Sequence, residues 1–246
     1  LQANRDLAAY RHCSRIMVAS ETLVGELTGR GIAGEAIAVV APGRDLETAQ
    51  HASLDLRQGR QTALLCVANW IERKGIVELL RALIALPEPL CTLHLVGDQA
   101  VDPRYAERVG ELLGREDLAR RVVIHGPLAS EHVAQMYAAA DLFVLPSTRE
   151  PYGTVYGEAM AAGLPVVGWA AGNLPYLARN ESDGLTVEPG DIAGLTAALK
   201  RLSEDGELRN RMSRSARARA ESFPTWQETT ARFFAELRSL GESTTR

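Results

Sequence analysis

The sequence predicts an α/β fold, a Rossmann-like doubly wound parallel sheet with helices on both faces. From about residue 61 onward, short apolar runs alternate with stretches of helical periodicity, which is the pattern of stacked βα units. The runs are almost continuously apolar, as expected of strands that helices cover on both sides. The predicted strands lie at 63–68, 91–96, 122–125, 142–145, 165–168 and 185–187, and the predicted helices lie near 74–86, 103–116, 130–139, 154–162 and 191–203.

A smaller βαβ segment precedes this domain. Residues 15–19 form an apolar run that predicts a strand, Ser20 is a candidate helix N-cap, and 36–40 predicts a second strand. Residues 41–61 are richer in Pro, Gly and polar side chains, which predicts a linker. The opening residues 1–15 have the pattern of a helix already in progress, which suggests the C-terminal part of a longer protein.

The C-terminal end predicts a long amphipathic helix that follows Pro224 and carries an apolar stripe. The stripe consists of Trp226, Phe233, Phe234, Leu237 and Leu240. It either packs on its own domain or crosses to a partner domain, and exposed apolar side chains there would favour self-association. Five arginines precede this helix, at 209, 211, 214, 217 and 219, and we predict that they form a solvated helical face.

Composition excludes several classes of protein. The chain has 246 residues, of which 46% are apolar and 24% charged, which is typical of a globular protein. A net charge of −4 with no basic tail disfavours a nucleic-acid partner. The apolar runs are shorter than the ~18 residues of a membrane span.

Three cysteines without metal-ligand spacing predict reduced thiols and a cytoplasmic protein, and the five scattered histidines predict structural roles.

The segment 147–167 contains the strongest candidate site, because it follows a buried strand at the edge where open α/β sheets bind ligands. Gly153 allows close approach of the backbone, and Thr154 begins a helix whose free N–H groups would bind an anion such as a diphosphate. Glu150 and Glu158 flank this point. Carboxylates repel phosphate and instead accept hydrogen bonds from sugar hydroxyls, so the pair predicts a nucleotide sugar.

The positive charge for such a ligand must come from another loop. Lys74 follows the first strand of the domain, again at a carboxyl end, where its ammonium would neutralise a departing diphosphate. A lysine before a glycine is a weak signal alone, and it gains weight from the two glutamates.

Several motifs together resemble glycosyltransferase family 4, a group of retaining enzymes of the GT-B fold, over about residues 10–240. They are Arg-Lys-Gly at 73–75, His-Gly-Pro at 125–127, Tyr-Ala-Ala-Ala-Asp-Leu-Phe-Val-Leu-Pro-Ser from Tyr137, the two glutamates with Glu-Ala-Met-Ala-Ala-Gly-Leu-Pro-Val-Val from Glu158, and Glu-Pro-Gly-Asp at 188–191. The resemblance implies two Rossmann-like domains across a cleft, of which the C-terminal one binds the nucleotide sugar and the N-terminal one most of the acceptor. Residues 1–41 then correspond to the tail of the N-terminal domain, 42–60 to the linker, 61–223 to the donor-binding domain, and 224–246 to a helix that returns towards the N-terminal domain, which is mostly missing here.

The resemblance also implies roles for individual residues. Glu158 is expected to bind the ribose hydroxyls, Glu150 the hydroxyls of the transferred sugar, and Lys74 the diphosphate. Backbone contacts to the sugar and diphosphate are expected from Gly153, Thr154 and Val155, and contacts near the nucleotide from Gly97, Gly126, Pro127 and Leu128.

Two departures from the family pattern affect the expected donor contacts. Asn69 stands where many members have an arginine, and Arg73 is the neighbour expected to compensate for the lost cation. Tyr176 stands in an acidic position, in the loop where Gly172 and Asn173 are expected to lie near the donor sugar.

The sequence therefore predicts a retaining transfer from a UDP- or GDP-sugar to an unknown acceptor, without cofactor or metal because no Asp-x-Asp motif is present. Two alternatives stay open: a nucleotide-sugar-binding half that does not turn over by itself, and a nucleotide-sugar epimerase of the same architecture. An NAD-dependent oxidoreductase is disfavoured, because Gly97 stands alone after its strand and no G-x-G-x-x-G fingerprint follows.

Overall fold

A computed structural model of the chain describes residues 8–44 and 54–243. It contains two parallel sheets. The smaller sheet has β1 (Ile16–Val18) and β2 (Ile37–Val39), and the larger has β3 (Thr62–Val67), β4 (Cys91–Val96), β5 (Val122–Gly126), β6 (Leu142–Val144), β7 (Val166–Trp169) and β8 (Gly184–Val187). The larger sheet has the order β5-β4-β3-β6-β7-β8 with every pair parallel, which confirms the predicted fold class.

Helices connect the strands within each sheet, and the last three helices follow β8. They are α1 (Glu21–Thr28), α2 (Ile76–Ile84), α3 (Pro103–Leu113), α4 (Glu116–Ala119), α5 (Ser130–Ala139), α6 (Thr154–Ala161), α7 (Leu174–Leu177), α8 (Ile192–Glu204), α9 (Gly206–Ala220) and α10 (Trp226–Ser243), with 3-10 turns at Gly34–Ala36 and Glu72–Lys74. The two four-residue helices α4 and α7 are not predicted, because one turn is too short to carry a periodicity. Residues 1–7 of the predicted opening helix and 45–53 of the predicted linker lie outside the described residues.

The core explains why the strands lack alternation. Leu64 and Leu65 are consecutive in β3 and point to opposite faces, yet both are fully buried. β5 is an edge strand and is only partly buried. Cys66 and Cys91 are free thiols within this core, and burial raises their pKa to about 12 and about 11 respectively, so both stay protonated near neutral pH.

The order of the strands determines where the candidate site lies. The chain runs from β3 outward through β4 and β5, then returns to the other side of β3 and continues with β6, β7 and β8. At such a switch point the connections leave β3 and β6 in opposite directions, which opens a crevice at their carboxyl ends. Lys74 follows β3 and Glu150 follows β6.

α10 packs against the N-terminal βαβ segment. Arg15 forms an ion pair of 2.6 Å with Glu236, and the Thr229 hydroxyl donates to the Ala41 carbonyl at 2.8 Å. The apolar stripe of α10 is exposed in the part of the chain that the structure describes, at Trp226, Phe233, Phe234 and Leu237.

The division of the chain at residues 41, 60 and 223 stays a prediction. None of the described helices has both the length and the apolar character required to cross a bilayer.

The arginines of α9 are a correction to the sequence prediction, because three of them cap other helices instead of forming only a solvated face. They donate to carbonyls at the carboxyl ends of α8, α6 and α7, where backbone acceptors lack partners within the helix. The bonds are Arg209 to Leu202 (2.7 Å), Arg217 to Ala162 (3.0 Å) and Arg219 to Tyr176 (2.9 Å) and Leu177 (3.1 Å). Arg211 and Arg214 are exposed as predicted.

Two histidines form a pair between neighbouring strands, with His94 buried and His125 partly buried. His94 Nε2 lies 2.7 Å from the Leu56 carbonyl, and His94 Nδ1 lies 2.9 Å from His125 Nε2. A carbonyl only accepts, so Nε2 of His94 carries its proton and Nδ1 accepts from His125. Burial lowers the pKa of both histidines, as expected of a structural pair that folds in the neutral form.

We expect acid to destabilise the protein through this pair. Because the pKa of both histidines is lowered in the folded state from the ordinary 6.5, the unfolded chain binds more protons as the pH falls below that value. The free energy of unfolding should therefore fall between about pH 7.5 and pH 5.5. Urea unfolding across this range should show a shallower decline for His94→Gln than for the unsubstituted chain, and equal declines would contradict the assignment.

Candidate functional site

The loop after β3 brings Lys74 to the end of β6. The 3-10 turn Glu72–Lys74 ends at Gly75, whose φ is +70°. A Cβ atom on Gly75 would lie 2.2 Å from the carbonyl oxygen of Pro146, two residues after β6. The two loops therefore touch backbone to backbone, which only glycine allows at this position.

Glu150 lies in the loop between β6 and α6, with 9% of its side chain exposed. Its Oε1 accepts from Lys74 Nζ at 2.5 Å, from the Ser147 hydroxyl at 2.8 Å and from Arg73 Nη1 at 3.3 Å. Among the residues that the structure describes, no hydrogen bond or ion pair involves its Oε2. One carboxylate oxygen is thus saturated by protein donors, and the other has the capacity to accept from a ligand.

The start of α6 adjoins this carboxylate. Gly153, with φ +85°, is the residue before the helix, and a Cβ there would lie 2.8 Å from the ring of Tyr156. The Tyr156 N–H donates to the Gly153 carbonyl at 3.0 Å, whereas Thr154 and Val155 are the first two helical residues and have no carbonyl one turn earlier to bind. Their N–H groups and the helix dipole favour an anion.

The second acid, Glu158, lies one turn further along α6 and is exposed. The hydroxyl of Tyr137 donates to its Oε2 at 3.1 Å. Burial raises the pKa of Tyr137 well above its usual value, and the nearby Glu158 carboxylate raises it further, so the hydroxyl keeps its proton and remains a donor. Tyr137, at the end of α5, therefore orients the carboxylate.

The loops after β3, β4 and β5 pack side by side at the same edge. A Cβ on Gly97 would lie 2.1 Å from the Ala68 carbonyl, and the Gly97 N–H donates to the Gly126 carbonyl at 2.9 Å. The side-chain oxygen of Asn69 accepts from the N–H of Asp98 at 3.1 Å, so this residue holds the loop after β4. Pro127 is exposed and Leu128 is partly buried beside them.

The loop after β7 contacts the loop that carries Glu150. A Cβ on Gly172, with φ +55°, would lie 2.6 Å from the backbone nitrogen of Glu150. The Asn173 N–H donates to the Glu150 carbonyl at 3.0 Å, and the Asn173 amide is 3% exposed. A donor contact through this side chain stays a prediction.

Of the predicted residues, Lys74, Arg73 and Glu150 form one cluster, and α6 begins four residues after Glu150. The other predicted residues lie at strand ends, on loops or on helices along the same edge, at Asn69, Gly97, Gly126, Pro127, Leu128, Glu158, Gly172 and Asn173. Two residues that bond to the predicted carboxylates were missed, Ser147 and Tyr137. Both belong to the motif quoted from Tyr137 onward, in which only their hydroxyls and Asp141 are polar side chains. The cluster offers cations and free N–H groups to an anion, and carboxylates to hydroxyls.

Comparison with known proteins gives one family. Its model, described as glycosyl transferases group 1, matches residues 49–219. Relatives include a D-inositol 3-phosphate glycosyltransferase of Xylanimonas cellulosilytica, which is 31% identical over 79% of this chain and 49% of its own length. A glycogen synthase of Mycobacterium tuberculosis is 32% identical over 83% of this chain and 48% of its own length. The chain thus spans about half the length of these relatives.

Solved structures give the same result. A sucrose-phosphate synthase from Thermosynechococcus elongatus has a TM-score of 0.84 and 26% identity, covering 97% of this chain and 61% of its own. HepE of Anabaena in complex with UDP-glucose has a TM-score of 0.86 and 26% identity, covering 97% of this chain and 68% of its own. These neighbours are GT-B glycosyltransferases, and the six-stranded parallel sheet flanked by helices agrees with that fold.

The contact at Gly75 predicts a difference between two glycine substitutions. Gly75 and Gly59 both have positive φ, so alanine at either costs about 1–2 kcal/mol of backbone strain. At Gly59 a Cβ meets nothing within 4 Å, whereas at Gly75 it meets the Pro146 carbonyl at 2.2 Å. In urea unfolding, Gly75→Ala should lower the free energy of unfolding more than Gly59→Ala does. Equal losses would contradict the backbone contact between the two loops.

Proposed function

This chain belongs to the glycosyl transferases group 1 family, and we propose that it transfers a hexose from a nucleotide diphosphate sugar to an acceptor, as a retaining enzyme of family 4. UDP is the preferred nucleotide, because HepE of Anabaena binds UDP-glucose and is 26% identical over nearly the whole chain. GDP is the alternative. The activity of the whole protein is part of the proposal, because the chain spans about half the length of its relatives.

The contact between Lys74 and Glu150 beside the start of α6 carries the proposal. A diphosphate requires positive charge, which Lys74, Arg73 and the N–H groups of Thr154 and Val155 supply. A carboxylate in the same cluster would repel a nucleotide alone but accepts hydroxyls of a sugar through its Oε2. A sugar nucleotide therefore satisfies both halves of the cluster at once.

The other residues of the edge complete the proposed donor site. Glu158, oriented by Tyr137, binds the ribose hydroxyls. The loops with Asn69 and Gly97 lie beside the nucleotide, as do Gly126, Pro127 and Leu128. Gly153, Gly172 and Asn173 bring backbone close to the donor sugar.

The proposed mechanism is front-face transfer. The bond between the anomeric carbon and the diphosphate oxygen breaks, the acceptor oxygen bonds to that carbon on the same face, and the departing phosphate oxygen takes the acceptor proton. Configuration is thereby retained. Lys74, Arg73 and the α6 start stabilise the charge that develops on the diphosphate, and we propose that they do so without a cofactor or metal. Glu150 is a poor nucleophile, because its Oε1 already accepts three hydrogen bonds.

Calorimetric titration with UDP, GDP and ADP tests the donor site. We expect Lys74→Ala and Glu158→Gln each to weaken binding of the preferred nucleotide by about 10–100-fold, since each removes the charged group of a hydrogen bond to the ligand. The matched control is Lys200→Ala, which removes the other of the two lysines in the sequence, on the outer surface of α8. Unchanged binding in either site variant removes that residue from the site.

Mass spectrometry tests the mechanism. After the chain is incubated with UDP-glucose or GDP-mannose and rapidly quenched in acid, we expect its intact mass to be unchanged, because front-face transfer forms no bond between sugar and protein. A hexose adduct on Glu150 would contradict the mechanism and make this carboxylate the nucleophile.

A further inference from the structure

Asn173 donates two hydrogen bonds to the loop that carries Glu150. Its backbone N–H donates to the Glu150 carbonyl at 3.0 Å, and its Nδ2 donates to the Tyr152 carbonyl at 2.9 Å. One buried residue thus holds both ends of the three-residue segment that precedes Gly153. A flipped amide would turn its oxygen towards the Tyr152 carbonyl, where two acceptors would repel each other.

Thr22 of α1 completes the bonding of this amide. Its hydroxyl lies 3.2 Å from Asn173 Oδ1 and 3.2 Å from the Gly172 carbonyl, so one proton is shared between two acceptors. α1 belongs to the small N-terminal sheet segment, whereas Gly172 and Asn173 follow β7 of the large sheet. The hydroxyl therefore links the two parts of the protein at the loop beside the candidate donor sugar.

Two further contacts place α1 against the same loop. The Ser20 hydroxyl, at the N-cap of α1, donates to the Pro151 carbonyl. Glu26, one turn after Thr22, lies 3.5 Å from Arg149, the residue before Glu150. Both partners of this second pair are exposed and contribute little. The links that remain are the Ser20 hydroxyl on Pro151 and the Thr22 hydroxyl on the buried amide of Asn173.

We propose that Thr22 and Asn173 are positioning residues, which hold the Glu150 carboxylate where it accepts hydroxyls of the donor sugar. The inference rests on the proposed function. Neither side chain belongs to the Lys74 loop or to the α6 start, which bind the diphosphate. Loss of the link therefore weakens the part of donor binding that depends on the sugar and spares the part that depends on the nucleotide.

The test compares UDP with UDP-glucose, and GDP with GDP-mannose, by calorimetry, using the pair that the unsubstituted chain binds more tightly. For Thr22→Val, affinity for the sugar nucleotide should fall about 2–10-fold more than affinity for the free nucleotide, as expected from the loss of one neutral hydrogen bond. Asn173→Asp replaces the amide donor to the Tyr152 carbonyl by a carboxylate oxygen and should change the ratio in the same direction. Thr22→Ser keeps the hydroxyl and should restore the original ratio. The matched control is Thr28→Val on the same helix, whose hydroxyl bonds only within α1.

A purely structural role would lower the thermal unfolding midpoint and weaken both ligands equally. An unchanged ratio of the two affinities in Thr22→Val and Asn173→Asp therefore overturns the positioning role, even where stability falls. Failure of the unsubstituted chain to bind any of the four ligands contradicts the proposed function instead, and with it the sugar-dependent role of these two residues.

Discussion

The ion pair between Lys74 and Glu150 joins the two strands at which the sheet reverses its order. Only 13% of the lysine side chain and 9% of the glutamate side chain are exposed, so both charges have lost most of their hydration. The free energy lost by dehydrating two such charges is about as large as the free energy gained from their attraction. The pair therefore contributes little to the stability of the fold. Buried charges in a crevice at the carboxyl ends of parallel strands are instead typical of a binding site.

Close backbone contacts hold this pair in place. Gly75 touches Pro146, Gly97 touches Ala68, and Gly172 touches Glu150, and each contact lacks room for a Cβ atom. These contacts hold together the loops after β3, β4, β6 and β7, and they fix the positions of the side chains on those loops. Asn173 adds side-chain bonds on the inner side and Thr22 adds one from the N-terminal segment. The loops that carry the candidate site are therefore held by backbone and side-chain contacts, and fixed positions of this kind favour transfer chemistry.

Patterns local in the sequence predicted the larger part of the fold and the edge at which the candidate site lies. Apolar runs located the six strands, and charged residues directly after those runs located Lys74 and Glu150 at one edge. Contacts between distant segments were beyond prediction. Arg217 and Arg219 have the sequence pattern of surface arginines, and only the packing brings them to the carboxyl ends of α6 and α7. The hydrogen bond of Thr22 likewise requires α1 to lie beside Asn173. Such contacts depend on how elements pack, which no residue spacing encodes.

A crystal structure of the chain soaked with UDP-glucose tests the central claim most directly. The account predicts a diphosphate within hydrogen-bond distance of Lys74 Nζ and of the N–H groups of Thr154 and Val155, with a hydroxyl of the glucose on Glu150. A nucleotide bound at another edge of the sheet, or a diphosphate at this edge that touches neither the lysine nor the helix start, would contradict it.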